Sequence, residues 1–181
     1  MHGDVLLRTV FSNLGPKHRL RAWAQLLALT VNDPDRAMTA ITIGRGMPSP
    51  KIATLRPPDD AARVLSDLVE LYDEALSGPL PLSTSWAYAQ QRVRGGEEKD
   101  ALEAARKSLG RPEDAAAGRG GFETVDAHHT LVWGDDFELE DLLGVPTARD
   151  RVRAPGESTR FGALSVALWA DLDRHEEVGL A

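Results

Sequence analysis

The stretch from Pro57 to Ala89 constrains the fold more than any other part of this sequence. Pro57 and Pro58 have a fixed φ and no amide proton, so they suit the approach to a helix and not its interior. Asp59 and Asp60 put negative charge where the positive end of a helix dipole favours it. Ala61, Val64, Leu65, Leu68, Tyr72, Ala75 and Leu76 then recur at three- and four-residue steps, which is one helical face, while Asp67, Glu70, Asp73 and Glu74 occupy the other. Gly78 and Pro79 end the pattern where a helix stop belongs. Pro79-Leu80-Pro81-Leu82 is extended and apolar enough to pack. Ser83 or Thr84 then caps a second helix that buries Trp86 and Tyr88. The bland reading of this stretch is a core helix and its neighbour, onto which the remainder of the chain packs.

Upstream, Asp4 to Ser12 has the alternation of a strand. Both of its faces are largely apolar, which predicts an interior position in a sheet. Asn13-Leu14-Gly15-Pro16 is a turn into a helix from Pro16 to about Leu29 that buries Leu20, Trp23, Ala24, Leu27 and Val31. The first turn of that helix exposes Lys17, His18, Arg19 and Arg21. Basic residues there oppose the helix dipole, so either a phosphate contact or a solvated, acid-paired face accounts for them. Ala37 to Ile43 reads as a second strand, Gly44 to Pro50 as a turn and Lys51 to Leu55 as a third strand. The last two strands form a hairpin.

Downstream, Arg92 to Asp100 is a polar, glycine-broken connector. A helix beginning near Asp100 runs through Ala101, Leu102, Ala105 and Leu109. Residues 110–124 carry glycine, alanine and charge with no buried pattern and read as a mobile loop. Asp126 is placed to cap a short helix carrying Leu131, Val132 and Trp133. Phe137, Leu139, Leu142 and Leu143 form another short apolar face ended by Gly144. Residues 145–159 read as a charged, flexible linker to the last helix. That helix is capped by Ser158 or Thr159 and buries Phe161, Leu164, Leu168 and Leu172, with Trp169 on its flank. No repeat is visible. The order strand–helix–strand–strand–helix, then helices, is an α/β core with a small mixed sheet and an α-rich C-terminal half.

With 181 residues, the chain has enough material for one domain with a sizeable core, and the whole of 1–181 is read as a single domain. It has no cysteine, which removes disulfide and thiol chemistry and fits a reducing cytoplasm. No apolar run reaches membrane-spanning length, and the N-terminus has no secretory pattern. The formal net charge is −7. Any nucleic-acid contact is therefore local or shared with a partner, because a domain that bound DNA through a broad field would be basic.

Several segments, in order, resemble the C-terminal domain of RecC, the gamma subunit of the RecBCD helicase–nuclease (exodeoxyribonuclease V). They are Arg21-Ala22-Trp23 with Leu26 and Leu27, Leu68-Val69-Glu70-Leu71-Tyr72-Asp73, Gly78-Pro79-Leu80-Pro81-Leu82 and Ser85-Trp86-Ala87-Tyr88. Leu131-Val132-Trp133 and Arg160-Phe161-Gly162-Ala163-Leu164 resemble the tail of that domain. The resemblance covers nearly the whole chain and lies in order and spacing. It implies a C-terminal fragment of a longer subunit, with a catalytically inactive fold like the PD-(D/E)xK nucleases. It also implies RecB-like and RecD-like partner subunits, forked or double-stranded DNA as the nucleic acid, and a cytoplasmic role in double-strand-break repair by homologous recombination. ATP and Mg²⁺ would then be used on other subunits, with no cofactor in this domain.

A nuclease of that fold holds a divalent metal with carboxylates on adjacent strands, one of them two residues before a lysine. Neither Ala37–Ile43 nor Lys51–Leu55 contains a carboxylate. Glu97-Glu98-Lys99 is the one Glu-x-Lys, and it lies in a polar connector with no strand beneath it. Asp4 begins the first strand but stands alone. Asp126, His128 and His129 suggest a metal site, yet adjacent histidines point apart, and the competing reading is a polar helix start. There is no Gly-x-Ser-x-Gly elbow and no Walker lysine loop. No catalytic or metal-binding residue is assigned. The candidate phosphate contacts are Lys17, Arg19, Arg21, Arg45, Lys51 and Arg56. The expected function is a non-catalytic, structural and DNA-guiding module. The alternatives are an active metal-dependent nuclease with a non-standard centre at Glu97 and Lys99, and a pure protein-interaction scaffold, which the net negative charge favours.

Overall fold

In the computed structural model of the chain, which describes residues 3–110 and 126–180, β1 (Val5–Asn13) runs parallel to β2 (Thr39–Arg45). A parallel pair needs a crossover, and α1 (Pro16–Asn32) supplies it. β3 (Lys51–Leu55) returns antiparallel to β2 as the hairpin pattern predicts. β4 (Glu176–Leu180) pairs antiparallel with β3, which gives a four-stranded sheet in the order β1-β2-β3-β4. Ala40 and Thr42 of β2 alternate inward with Ala53 and Leu55 of β3. α1 packs on the sheet and buries Ala22, Trp23, Leu26 and Leu27. Trp23 stacks on His175 with ring centroids 5.8 Å apart.

The chain divides into two compact units. One unit holds the residues up to Asp73 together with those from Asp171 onward, and therefore the whole sheet. The other holds residues 74–170 and is helical: α3 (Ser85–Val93), α4 (Glu98–Leu109), α5 (Ala127–Trp133), α6 (Leu139–Leu142), α7 (Ala148–Arg153) and most of α8 (Arg160–Arg174). α2 (Ala61–Ser77) crosses the division. The helical unit closes around Tyr88, Ala101, Ala105, Leu109, Phe137, Leu139, Leu142 and Phe161. Tyr88 and Phe161 meet edge to face at 5.3 Å.

Several expectations are corrected. β1 is an edge strand rather than an interior one. Among the described residues it pairs with β2 alone, and Leu7 and Phe11 are exposed despite their apolar character. β4 escapes the sequence reading because a single residue, His175, separates it from the end of α8 and its side chains show no clean alternation. Val31 is exposed one turn beyond the last buried position of α1. On α2 the buried positions are Ala61, Val64 and Leu71, a narrow stripe, and Tyr72 and Leu76 sit beside it in solvent. Thr84 precedes α3 with a left-handed backbone (φ 57°), and its hydroxyl makes no capping bond.

Residues 145–159 hold structure where a flexible linker is expected. Thr147 and Asp150 form a reciprocal capping box at α7, with the Asp150 carboxylate accepting from the Thr147 amide and hydroxyl at 2.8 Å each. Asp150 is fully buried. Arg153 and Arg160 both donate to Glu74, at 2.7 and 2.8 Å. Burial works against the Glu74 charge, but those two hydrogen bonds outweigh it and hold the carboxyl below its ordinary pKa. Arg153 thus meets a carboxylate where the sequence suggests solvent. Two helix starts agree with the sequence reading. Asp126 accepts from the amides of His128 (2.9 Å) and His129 (3.4 Å), and Thr159 accepts from the amide of Gly162 at 3.0 Å. The mobile-loop expectation for 110–124 falls almost wholly outside the described residues.

Candidate nucleic-acid interface

The carboxyl ends of the parallel strands β1 and β2, the end of an open α/β sheet where ligands usually gather, form one rim of the sheet. Asn13 is level with Arg45, and Gly44 with Lys51. α1 begins at this same rim, because the chain leaves β1 through Leu14 and Gly15 directly into Pro16. Gly44 makes the turn possible. A β-carbon there would lie 2.9 Å from Cβ of Leu14 and 3.0 Å from Cγ2 of Val10, too close for the turn to stay where it is.

The rim is cationic. Lys17 and Arg21 stand one turn apart on the exposed side of α1, whose first turn has no acidic residue. Neither they nor Lys51 make an ion pair or side-chain hydrogen bond with a described residue. Arg45 donates to Oδ1 of Asn13 at 3.0 Å, and Ser12 and His18 are joined at 2.8 Å. Partial burial holds the His18 imidazole below its ordinary pKa, and the positive charges of Lys17, Arg8 and Arg21 push it further down. Arg8 itself donates to Gln25 at 2.7 Å.

Two of the six candidate phosphate-binding residues lie elsewhere. The sequence places Arg19 in solvent on the first turn of α1. It is 5% exposed, and its guanidinium donates to Glu176 at 2.6 Å. Arg56 follows β3 at the opposite end of the sheet, five residues or about 17 Å of strand from Lys51, and pairs with Glu177 at 3.2 Å. Sequence reading misses Arg8 and Phe11, which look like ordinary members of an alternating strand. Arg8 sits level with Thr42 in mid-strand, and Phe11 lies two residues before the rim residue Asn13. Glu176 is missed with its strand.

The pattern that suggests a metal centre is dispersed. Glu97 precedes α4 and is exposed, as is Lys99. Glu98 is engaged by the Ser158 amide and hydroxyl at 3.1 and 2.9 Å and by the Tyr88 hydroxyl at 3.4 Å. Asp126 is occupied by the α5 amides, and His129 lies edge to face with Phe137 at 6.2 Å. Among the described residues no group of three or more His, Cys, Asp and Glu side chains is arranged to hold a metal ion. Asp and Glu are absent from β1, β2 and β3, and those of β4 pair with arginines. The donor set that a nuclease-type divalent cation needs is therefore not met on the sheet. No helix among the described residues is long and apolar enough to cross a membrane.

Fold and rim together define a mixed α/β protein with a cationic sheet end that lacks carboxylates. The RecC C-terminal domain family matches residues 1–93, and the chain belongs to that family. It is 36% identical over 183 residues to the RecBCD enzyme subunit RecC of Mycolicibacterium smegmatis, across 96% of this chain. It is 38% identical over 176 residues to the protein of the same name in Mycobacterium tuberculosis strains CDC 1551 and H37Rv, across 94% of this chain. The chain spans about 15% of the length of these curated relatives. No solved structure matches it at a significant level.

Proposed function

We propose that the chain is a non-catalytic, structural and DNA-guiding part of a RecC-type gamma subunit, within a RecBCD-like helicase–exonuclease that acts in double-strand-break repair. The observation that carries the reading is the rim. Lys17, Arg21, Arg45 and Lys51 converge at the carboxyl end of the parallel strands, and the three strands nearest α1 carry no carboxylate there. A nuclease of the PD-(D/E)xK kind would place its metal-holding acids on such strands. Cations there suit a phosphate backbone that is held and not cut. The same reading makes the fold an inactive relative of those nucleases. It gives the chain RecB-like and RecD-like partners, leaves ATP and Mg²⁺ to them, and places the complex in the cytoplasm.

The test is fluorescence anisotropy of a labelled forked duplex titrated with the chain in Mg²⁺ at low and moderate salt. A stable, salt-sensitive rise is expected, with a slope that counts the phosphates engaged. A rise that decays with time would mean cleavage and would overturn the non-catalytic role. No binding at any concentration would leave the scaffold reading, which the net charge of −7 already favours.

A further inference from the structure

Phe11 is fully exposed, at 104% of its reference surface, on a strand that also leaves Leu7 exposed, at 54%. Its position explains how. β1 and β2 keep one register from Val5 to Thr9 and resume pairing only at Asn13, in a shifted register, so Phe11 falls within the irregularity. Such breaks in an edge strand re-aim side chains and release them from the sheet. Phe11 also lies on the stretch of β1 that leads into the cationic rim. The next residue, Ser12, is bonded to His18, and the one after, Asn13, to Arg45.

An isolated exposed aromatic is as consistent with protein docking as with nucleic acid, so its surroundings decide. The charges acting on the neighbouring His18 are Lys17, Arg8 and Arg21, all positive, and the first turn of α1 has no acid. A surface of that sign attracts phosphates and repels a basic protein face. A cationic track with a free aromatic beside it is the arrangement on which unpaired bases stack. In a duplex both faces of each base are already occupied.

We infer that Phe11 is a stacking platform for a base of single-stranded DNA and makes the rim prefer unpaired over duplex strands. This rests on the DNA-guiding reading above. Lys17, Arg45 and Lys51 hold the backbone irrespective of pairing, and Phe11 supplies the discrimination.

The experiment compares a labelled oligothymidylate with a labelled blunt duplex of the same length by anisotropy, using the unaltered chain, Phe11→Ala and Phe11→Trp. The ring is in solvent, so neither substitution disturbs the core. Phe11→Ala is expected to weaken oligothymidylate binding by about tenfold, the effect of removing one base stack, and to leave duplex binding unchanged. Phe11→Trp is expected to restore the single-strand affinity. If Phe11→Ala binds oligothymidylate as tightly as the unaltered chain, the ring is a protein-docking residue and the inference fails while the DNA reading stands. Equal weakening on both probes overturns the discrimination in the same way. If the unaltered chain binds neither probe, the DNA reading and the stacking role fall together.

Discussion

Arg19 of α1 and Glu176 of β4 are 2.6 Å apart, with their side chains 6% and 2% exposed. The pair ties the helix to the last strand, and it removes from the surface a cation that the sequence places there. Breaking a buried pair by removing one partner leaves an uncompensated charge. Arg19→Met is expected to lower stability by about 3–5 kcal/mol at a pH where Glu176 is ionised. Urea unfolding at about pH 8 and about pH 5 measures it. The cost shrinks at the lower pH, where a protonated Glu176 needs no countercharge. An equal cost at both would mean that packing, not charge, dominates.

Burial pushes the Glu176 carboxyl up from 4.5 to about 7 against the pull of Arg19, and Asp173 adds to the rise. A carboxyl whose pKa is higher in the folded state binds more protons folded than unfolded. Its contribution to stability is therefore complete below 4.5 and is lost as pH rises toward 7. The unfolding free energy of the chain should carry that downward component over this window. Glu176→Gln should flatten it, which denaturation at a series of pH values would reveal.

Gly162 lies against Tyr88. A β-carbon at that position would come within 2.6 Å of the Tyr88 hydroxyl and 3.0 Å of both Glu157 Oε2 and Thr159 Oγ1. The hydroxyl donates to Glu157, which also receives Arg92 at 2.8 Å. Gly162→Ala should cost about 1–3 kcal/mol through overpacking. Tyr88→Phe should cost about 1–2 kcal/mol, since it leaves Glu157 with Arg92 alone. Thermal unfolding of both variants and of the double variant should show strong non-additivity, because the methyl and the hydroxyl compete for one space.

Lys17→Glu with Lys51→Glu should weaken binding to a forked duplex and lower the slope of log affinity against log salt by about 0.7–0.9 for each phosphate no longer neutralised. Arg56→Glu should leave both unchanged, since Arg56 is at the far end of the sheet beside Glu177. Anisotropy titrations across salt distinguish the two. A larger effect from Arg56 would place the nucleic acid on the other end.

Much of the local structure is legible in the sequence because it rests on nearest-neighbour chemistry. The alternation of β2 and β3, the Pro16 start of α1, the Asp126 and Thr159 caps and the helix after Pro58 all follow from spacing of a few residues. Residues 145–159 are illegible for the opposite reason. Their charges look solvated until Glu74, far away in the sequence, receives Arg153 and Arg160. The candidate interface is half legible. Lys17, Arg21, Arg45 and Lys51 are found from residue type, but nothing local separates them from Arg19 and Arg56.

By itself the sequence determined the element types outside α7 and β4, the absence of carboxylates from the first three strands and the kinship with the RecC C-terminal domain, since each is written in residue order. Tertiary structure alone decided that β1 is an edge, that β4 exists, that Arg19 is buried and that Phe11 is exposed. Strand order and long-range pairing depend on which distant surfaces exclude water together. An arginine with a carboxylate 157 residues away to meet it can leave solvent, and a phenylalanine on an unpaired edge has nothing to enter.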